Sequence, residues 1–287
     1  MTSDHERVPF PQVDLQRILV RWSDCLSVVL GRIDPDLVDE MRRRDFDYAP
    51  VLRSAGPDGG VLGLISRERL EELASEGREV TEGNKGIHLA RQFFEVWVRS
   101  SLDELLRQMA ERPAWIVEDH HAGEYGEHHM IYGMVTRSDL NKHPIRVIVY
   151  EVLAKLEMEL ARCVSESFAD HWEWIGRLNE DSQARILGYW ELAKRKEVDT
   201  GPVAGATLSE LLRAVSVSKE LLRKLGYSSR KTFDKETSRI PGVRNEVMHP
   251  VRPLITDAES CLRLEAVLRE AIRLAERARA VLEAGKP

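Results

Sequence analysis

The sequence predicts an α+β N-terminal region of tandem β-α-β-β-α units, followed by an all-α bundle of four or five helices. Two observations lead to this fold class: a repeat within the first 140 residues, and a helical apolar period after residue 142. We place an N-terminal segment with a first helix at 1–25, a first repeat at 26–72, a linker at 73–96, a second repeat at 97–142 and the helical region at 143–287.

The composition excludes several classes of protein. With 43% hydrophobic and 6% aromatic residues in 287, the chain is neither collagen-like, low-complexity nor wholly disordered. It has no apolar stretch of the roughly 20 residues that a membrane span needs, and its first residues lack an apolar signal segment. We therefore expect a cytoplasmic protein with no membrane contact. Three widely separated cysteines favour buried reduced thiols over a disulfide framework.

The charge is unevenly distributed along the chain. A net charge of −6 argues against a general nucleic-acid binder, but residues 142–287 carry +3 and the first 141 carry −9. The stretch 219–252 is the most basic and suggests a weak RNA-binding surface, with an ordinary solvated face as the alternative. Its candidate RNA-binding residues are Arg230, Lys231, Lys235 and Arg239.

An internal repeat organises the first half. Gly-Leu-Ile-Ser-Arg-Glu-Arg-Leu at 63–70 recurs as Gly-Met-Val-Thr-Arg-Ser-Asp-Leu at 133–140. A helical pattern and then a short apolar strand precede each copy, so each unit follows the order helix, strand, turn, strand, helix. The helical patterns are 36–44 and 101–109, and the strands are 49–52 and 114–117.

These residues resemble the tandem CBS domain pair, which binds adenosine-containing ligands, over about 26–140. At the repeated turn, Thr136 ends a strand and caps the next helix, so its hydroxyl and the free N–H groups are suited to a phosphate. Asp139 lies one turn on, suited to accept hydrogen bonds from ribose hydroxyls. The alternative is that Thr136 and Asp139 form only a helix N-cap with an acid at the third position.

The resemblance implies a regulatory adenine nucleotide, AMP, ATP or a related compound, and an unequal pair of sites. The first copy has Ser66 but carries Arg69 where the family has Asp, and an arginine cannot accept from ribose. We therefore expect one good site, in the second copy. The nucleotide-binding residues implied are Thr136, Asp139, Arg137, Ser66, Arg69, Ala114 and Ile116.

A histidine-rich stretch, 119–129, separates the strands of the second copy. Its imidazoles and two glutamates have the chemistry to bind Zn²⁺ or Ni²⁺. A polar hairpin is the commoner meaning of such a stretch, so we expect no metal site. The weak metal candidates are His120, His121, His128 and His129.

The second half has helical periodicity and no strand pattern. The predicted helices are 145–164, 172–192, 207–225 and 257–283, with Gly/Pro punctuation at 198–206. Thr207 with Glu210, and Ser101 with Glu104 in the first half, have the spacing of capping boxes.

Before the last helix, Arg244-Asn-Glu-Val-Met-His249 resembles the Arg-x(4–6)-His signature of the HEPN superfamily. These are small helical bundles that include many metal-independent ribonucleases, and the resemblance covers about 143–284. The implied catalytic residues are Arg244, Asn245 and His249.

The chemistry of these side chains suits RNA cleavage. A histidine transfers protons at neutral pH, and an arginine fork neutralises phosphoryl oxygens without a metal. Asn245 would orient His249 or a substrate oxygen. Because one chain supplies one such histidine, acid and base together require a homodimer. The alternative is a buried Arg–His–Asn network that only holds the bundle together.

The sequence thus predicts an adenine-nucleotide-regulated RNA endonuclease that needs no catalytic cofactor. Its expected partners are a second copy, RNA and an adenosine-containing small molecule, and by analogy the pairing fits a toxin or anti-phage role. The alternative is a non-catalytic nucleotide-sensing interaction or dimerisation protein.

Overall fold

A computed structural model describes residues 9–55, 60–83, 88–89, 99–123 and 126–284, with the backbone alone for 88–89, 99 and 118–130. The fold is mixed α+β. The described strands all lie before residue 137, and residues 143–284 form helices and their connections. The predicted order of a sheet-containing region followed by a helical region is therefore confirmed.

The chain divides into two compact units. The repeat unit contains Gln12–Ile145 together with Ile255–Cys261. The helical unit contains Arg146–Leu254 and residues 262–284, with residues 9–11. The segment Ile255–Cys261 thus joins the repeat unit although more than 100 residues separate it in sequence.

The repeat unit contains three small sheets. Among the described residues, the strand orders are β3-β4-β5-β6, β2-β9-β8 and β1-β7, and β3–β4 is the one parallel pair. The segment before the predicted repeat supplies β1 and β2 to these sheets. Its described residues, 9–25, contain two short 3-10 turns and no α-helix, so the first helix expected there is wrong. The elements are β1 (Gln12–Asp14), β2 (Val20–Arg21), β3 (Val28–Val29), α1 (Pro35–Arg43), β4 (Tyr48–Leu52), β5 (Val61–Ser66), α2 (Arg67–Ser75), β6 (His88–Leu89), β7 (Arg99–Ser101), α3 (Leu102–Glu111), β8 (Ala114–Gly123) and β9 (Gly126–Thr136).

The two copies share an unusual strand geometry. In both hairpins, β4–β5 and β8–β9, the register shifts directly after the valine that faces the repeated glycine, Val51 with Gly63 and Val117 with Gly133. Gly133 is required by packing, because a Cβ there would collide with the Val20 carbonyl of β2.

The copies differ at their ends. The first closes with α2, whose N-cap Ser66 accepts a hydrogen bond from the Arg69 N–H at 3.3 Å. The second closes with a 3-10 turn, Arg137–Asn141, so the expectation of a terminal helix is wrong for this copy. The reason is local: Lys142 is extended (φ −64°, ψ 152°), which stops the turn before the next helix begins.

The first copy buries one face of each helix against its sheet. Val38 and Met41 of α1 and Leu70 and Leu73 of α2 pack in one core with the apolar residues of β4 and β5. Asp34 caps α1 by accepting from the Asp36 N–H at 3.0 Å. Short amphipathic helices of this kind gain most of their stability from such packing.

The helical unit has more helices than the four or five that the sequence predicts. Residues 143–284 contain eight α-helical segments. Two predicted helices are each split where a polar side chain caps the start of a second helix. Asn179 accepts a hydrogen bond from the Ser182 N–H, and Ser218 accepts one from the Leu221 N–H. The segments are α4 (His143–Ser167), α5 (Trp172–Ile175), α6 (Glu180–Arg195), α7 (Leu208–Val217), α8 (Lys219–Lys224), α9 (Arg230–Thr237), α10 (Ile240–Met248) and α11 (Ala258–Ala284).

One of the two predicted capping boxes forms. Glu210 Oε2 accepts from the Thr207 N–H at 2.7 Å, which confirms the box at α7. Ser101 does occupy the N-cap of α3, but its hydroxyl pairs with Asp103 and makes no capping hydrogen bond, so that box is wrong. An acid two residues after the serine competes for the hydroxyl.

The cysteines are free thiols, and Cys163 and Cys261 are buried as expected. Burial raises the pKa of both thiols to about 11, which makes them inert at neutral pH. None of the described helices combines the length and the apolar character that crossing a membrane requires.

Candidate functional site

A polar cleft of about 270 Å³ lies in the repeat unit, where the two hairpins end. The two copies contribute equivalent positions to it, 70 residues apart: Ser66 and Thr136, Arg67 and Arg137, Glu68 and Ser138. The match extends to the backbone, because the Arg67 N–H donates to the Asp47 carbonyl and the Arg137 N–H to the Pro113 carbonyl, both at 2.8 Å. The remaining lining residues are Asp47, Tyr48, Pro113, Asn141, Ile255 and Thr256.

The cleft carries both signs of charge. Asp47 and Glu68 lie in its lining beside the guanidinium groups of Arg67 and Arg137. Burial raises the pKa of Asp47, an effect that Arg67 opposes and neighbouring carboxylates reinforce. Burial likewise raises the pKa of Tyr48, whose ring is half-buried at the cleft. A ligand here meets an aromatic ring, cations, carboxylates and hydroxyls.

Thr136 and Asp139 form a closed capping box. Asp139 Oδ2 accepts from the Thr136 N–H at 2.6 Å and from its hydroxyl at 2.8 Å, and Asp139 Oδ1 lies 2.7 Å from Lys142 Nζ. Asp139 is 5% exposed and does not line the cleft. This is the geometry of the N-cap alternative, because both carboxylate oxygens already have partners.

Three of the seven sequence-predicted nucleotide residues line the cleft: Ser66, Thr136 and Arg137. Asp139 does not, for the reason just given. Ala114 and Ile116 are buried in a small core with Leu64 and Met134. Arg69 pairs with Glu72 at 2.6 Å on α2.

Sequence reasoning missed other lining residues. Asp47 directly precedes β4 and Tyr48 is the first residue of that strand. Neither carries a motif, although the place of Asp47 before β4 matches that of Pro113 before β8. No sequence motif marks Ile255 and Thr256 as lining residues, because only the tertiary structure brings them to the cleft.

The second candidate site lies at the end of α10. His249 is the residue after the helix (φ −110°, ψ 82°), and its N–H donates to the Glu246 carbonyl at 3.3 Å. The side chains of Asn245 and His249 are exposed, and neither hydrogen bonds to another described residue. The structure therefore contradicts the alternative of a buried Arg–His–Asn network.

Arg244 has a distant acidic neighbour. Its Nε lies 3.9 Å from Glu157 Oε2 of α4, and both side chains are about one-third exposed, at 34% and 28%. At this distance the pair is an electrostatic contact without a hydrogen bond. The guanidinium therefore keeps its donors for another anion.

The basic stretch is exposed. Lys231 and Lys235 lie four residues apart on α9, whereas Arg239 follows the end of that helix, and the described residues provide none of the three with an ion pair. Arg230 differs, because its Nε lies 3.2 Å from Asp234 Oδ2.

The sequence predicts that the histidine-rich stretch lies between the strands, but residues 119–123 belong to β8 and residues 126–129 to β9. The backbone register pairs His120 with His129 and His121 with His128. Their side chains lie outside the described residues, and the described part of the chain contains no cluster of metal-ligating side chains.

No protein-family model matches the sequence, and no curated protein matches it either. The resemblances to the CBS pair and to the HEPN superfamily therefore rest on the residues quoted for them and stay predictions.

Proposed function

We propose that the protein is a cytoplasmic, metal-independent RNA endonuclease regulated by an adenine nucleotide. The observation that carries the proposal is the exposure of Asn245 and His249 at the end of α10, next to Arg244. Polar side chains without a role in holding the bundle together are available to a substrate. The exposed cations Lys231, Lys235 and Arg239, which precede this site in the chain, support the proposal, because cations without an ion pair to a described residue attract phosphates.

The proposed reaction is an internal transesterification. A base takes the proton of the ribose 2′-OH, and that oxygen attacks phosphorus. The P–O5′ bond then breaks, and the leaving oxygen receives a proton from an acid. The products are a 2′,3′-cyclic phosphate and a 5′-OH, so no water is consumed in this step. His249 moves a proton, and Arg244 donates to the phosphoryl oxygens in the transition state.

A homodimer would supply the second histidine. Two apolar side chains adjoin His249: Met248 is 46% exposed and Val251 is 92% exposed. An apolar rim beside a polar site is typical of a surface that a partner covers. A second copy placed here with two-fold symmetry would bring two His249 side chains together.

The cleft of the repeat unit is the proposed nucleotide site. Its volume is close to the lower end of the range for small-ligand pockets, about 300–1,000 Å³, and suits one nucleotide. Arg67, Arg137 and the hydroxyls would hold phosphate, and Tyr48 would pack on the base. Because Asp139 is engaged in its cap, the acceptor for ribose would be Asp47 or Glu68.

RNA cleavage in EDTA tests the catalytic proposal. We expect the wild type to release 2′,3′-cyclic phosphate ends, and His249→Ala to reduce cleavage by at least about 100-fold. His143→Ala, which removes another exposed histidine, is the matched control and should cleave normally. Absence of cleavage by the wild type with every nucleotide tested would favour the non-catalytic interaction protein.

Isothermal titration with AMP, ATP and cyclic dinucleotides tests the sensor. We expect Arg67→Gln and Arg137→Gln each to weaken nucleotide binding about tenfold, because each variant loses one charge-assisted hydrogen bond to the ligand. Arg69→Gln removes a guanidinium outside the cleft and should leave binding unchanged. Binding that depends on Arg69 and not on Arg137 would place the ligand elsewhere.

A further inference from the structure

Arg146 spans the segment of chain that carries His249. It lies in the first turn of α4 and is only 6% exposed. Its Nη1 donates to the Glu246 carbonyl at 3.1 Å, and its Nη2 donates to the Arg252 carbonyl. The two carbonyls stand three residues before and three residues after His249.

Glu246 is held from a second helix as well. Arg263 of α11 donates from Nη1 to Glu246 Oε1 at 2.9 Å and from Nη2 to Oε2 at 3.0 Å. This is the bidentate fork that fixes a carboxylate in distance and angle. Two arginines therefore hold the last turn of α10. Arg146 donates to the Glu246 carbonyl, and Arg263 donates to the Glu246 carboxylate.

The place of His249 depends on these contacts. Its imidazole makes no hydrogen bond to a described residue, so the backbone alone positions it. That backbone is a turn in which the Arg252 N–H donates to the His249 carbonyl at 2.9 Å. Arg146 connects the Arg252 end of this turn to the end of α10 at Glu246. Without it, the described hydrogen bond that holds the turn is the one between the Arg252 N–H and the His249 carbonyl.

We propose that Arg146 is a positioning residue for His249, with Arg263 in support; this rests on the proposed ribonuclease function. One planar guanidinium reaches two carbonyls on either side of the histidine, which a lysine ammonium on a flexible stem does not reproduce. Misplacement of a catalytic group by about 1 Å is enough to cost up to about 100-fold in rate.

The test combines kinetics with a signal from His249 itself. In Arg146→Lys we expect kcat for RNA cleavage to fall about tenfold or more and KM to stay within about twofold, because Arg146 is buried away from RNA. In histidine-labelled protein, the His249 NMR resonance, assigned by its loss in His249→Ala, should shift or broaden. Arg162→Lys is the control, since Arg162 lies on the same helix in an exposed pair with Glu159.

Arg263→Gln provides a second, milder variant in case Arg146→Lys does not fold. Its side chain is 36% exposed, and we expect a smaller change in the same direction, about threefold in kcat, with a shift of the His249 resonance. A folded variant with an unchanged His249 resonance would overturn the positioning role. Because the NMR measurement needs no cleavage, it separates failure of this inference from failure of the ribonuclease proposal.

Discussion

Asn141 and Ile255 hydrogen bond to each other in both directions. The Asn141 Nδ2 donates to the Ile255 carbonyl at 2.8 Å, and the Ile255 N–H donates to Asn141 Oδ1 at 2.9 Å. The Asn141 side-chain amide thus pairs with both backbone groups of Ile255, as a neighbouring strand would. These two hydrogen bonds hold a segment 114 residues away in sequence in the repeat unit. The same two residues line the cleft, so this contact helps to define its wall.

Loss of this contact should destabilise the repeat unit. We expect Asn141→Ala to lower its free energy of unfolding by about 1–3 kcal/mol, because two backbone groups lose their partners. Hydrogen exchange should show faster exchange of the Ile255 amide. Asn141→Asp keeps the acceptor for that amide and should retain its protection better. Equal protection in the alanine variant and the wild type would contradict this account.

The close approach at Gly133 predicts a steric effect. Gly133→Ala places a Cβ against the Val20 carbonyl and should cost about 1–3 kcal/mol by pushing β2 off β9. Urea unfolding measures the loss. Gly83→Ala is the matched control, since an added Cβ there meets nothing within 4 Å and should change stability by less than about 0.5 kcal/mol. Similar unfolding curves for the two variants would refute the steric argument.

Glu157 should moderate the affinity of Arg244 for RNA. Glu157→Gln removes the negative charge 3.9 Å from the guanidinium, so KM for RNA should fall about two- to fivefold at low salt. Because salt screens surface charges, the effect should disappear near 0.5 M salt. Glu159→Gln lies on the same helix beside Arg162 and serves as control. An equal fall of KM in both variants would mean that only the net charge matters.

Glu210 should contribute stability that acid removes. Burial alone would raise the pKa of Glu210, but hydrogen bonds from Arg185, Ser182 and Thr207 outweigh it and hold the pKa below its ordinary value of 4.5. The folded state therefore favours the charged carboxylate. Its stabilisation is complete above pH 4.5 and is lost as the pH falls through the lowered pKa.

Urea unfolding of Glu210→Gln measures this contribution. At pH 7 we expect the variant to be less stable than the wild type by about 1–3 kcal/mol, and the difference to shrink below pH 4. Glu236→Gln, an exposed carboxylate on α9, should show no such pH-dependent difference. A gap that stays constant down to pH 3 would mean that packing, not charge, explains the loss.

How far the sequence predicts the fold depends on how local each signal is. The repeat, its glycine and the helix starts at Ser66, Ser101 and Thr207 all depend on residues close together in the chain. The helix count was wrong for two reasons: Asn179 and Ser218 interrupt patterns whose apolar period continues past them, and α9 and α10 are not among the four predicted helices. Apolar periodicity indicates which residues face a core, whereas an N-cap residue decides where a new helix begins.

By itself, the sequence determined that a repeated sheet-forming region precedes a helical one, and that Arg244, Asn245 and His249 lie close together in the chain before the last helix. For Asp139 the sequence left a ribose contact and a local N-cap open, and the structure selects the cap. Only the tertiary structure decided that Ile255 and Thr256 line the cleft, and that Arg146 and Arg263 meet at Glu246. Spacing along a helix or strand is a local property. Contacts between segments 100 residues apart depend instead on how the elements pack, and no short motif encodes that.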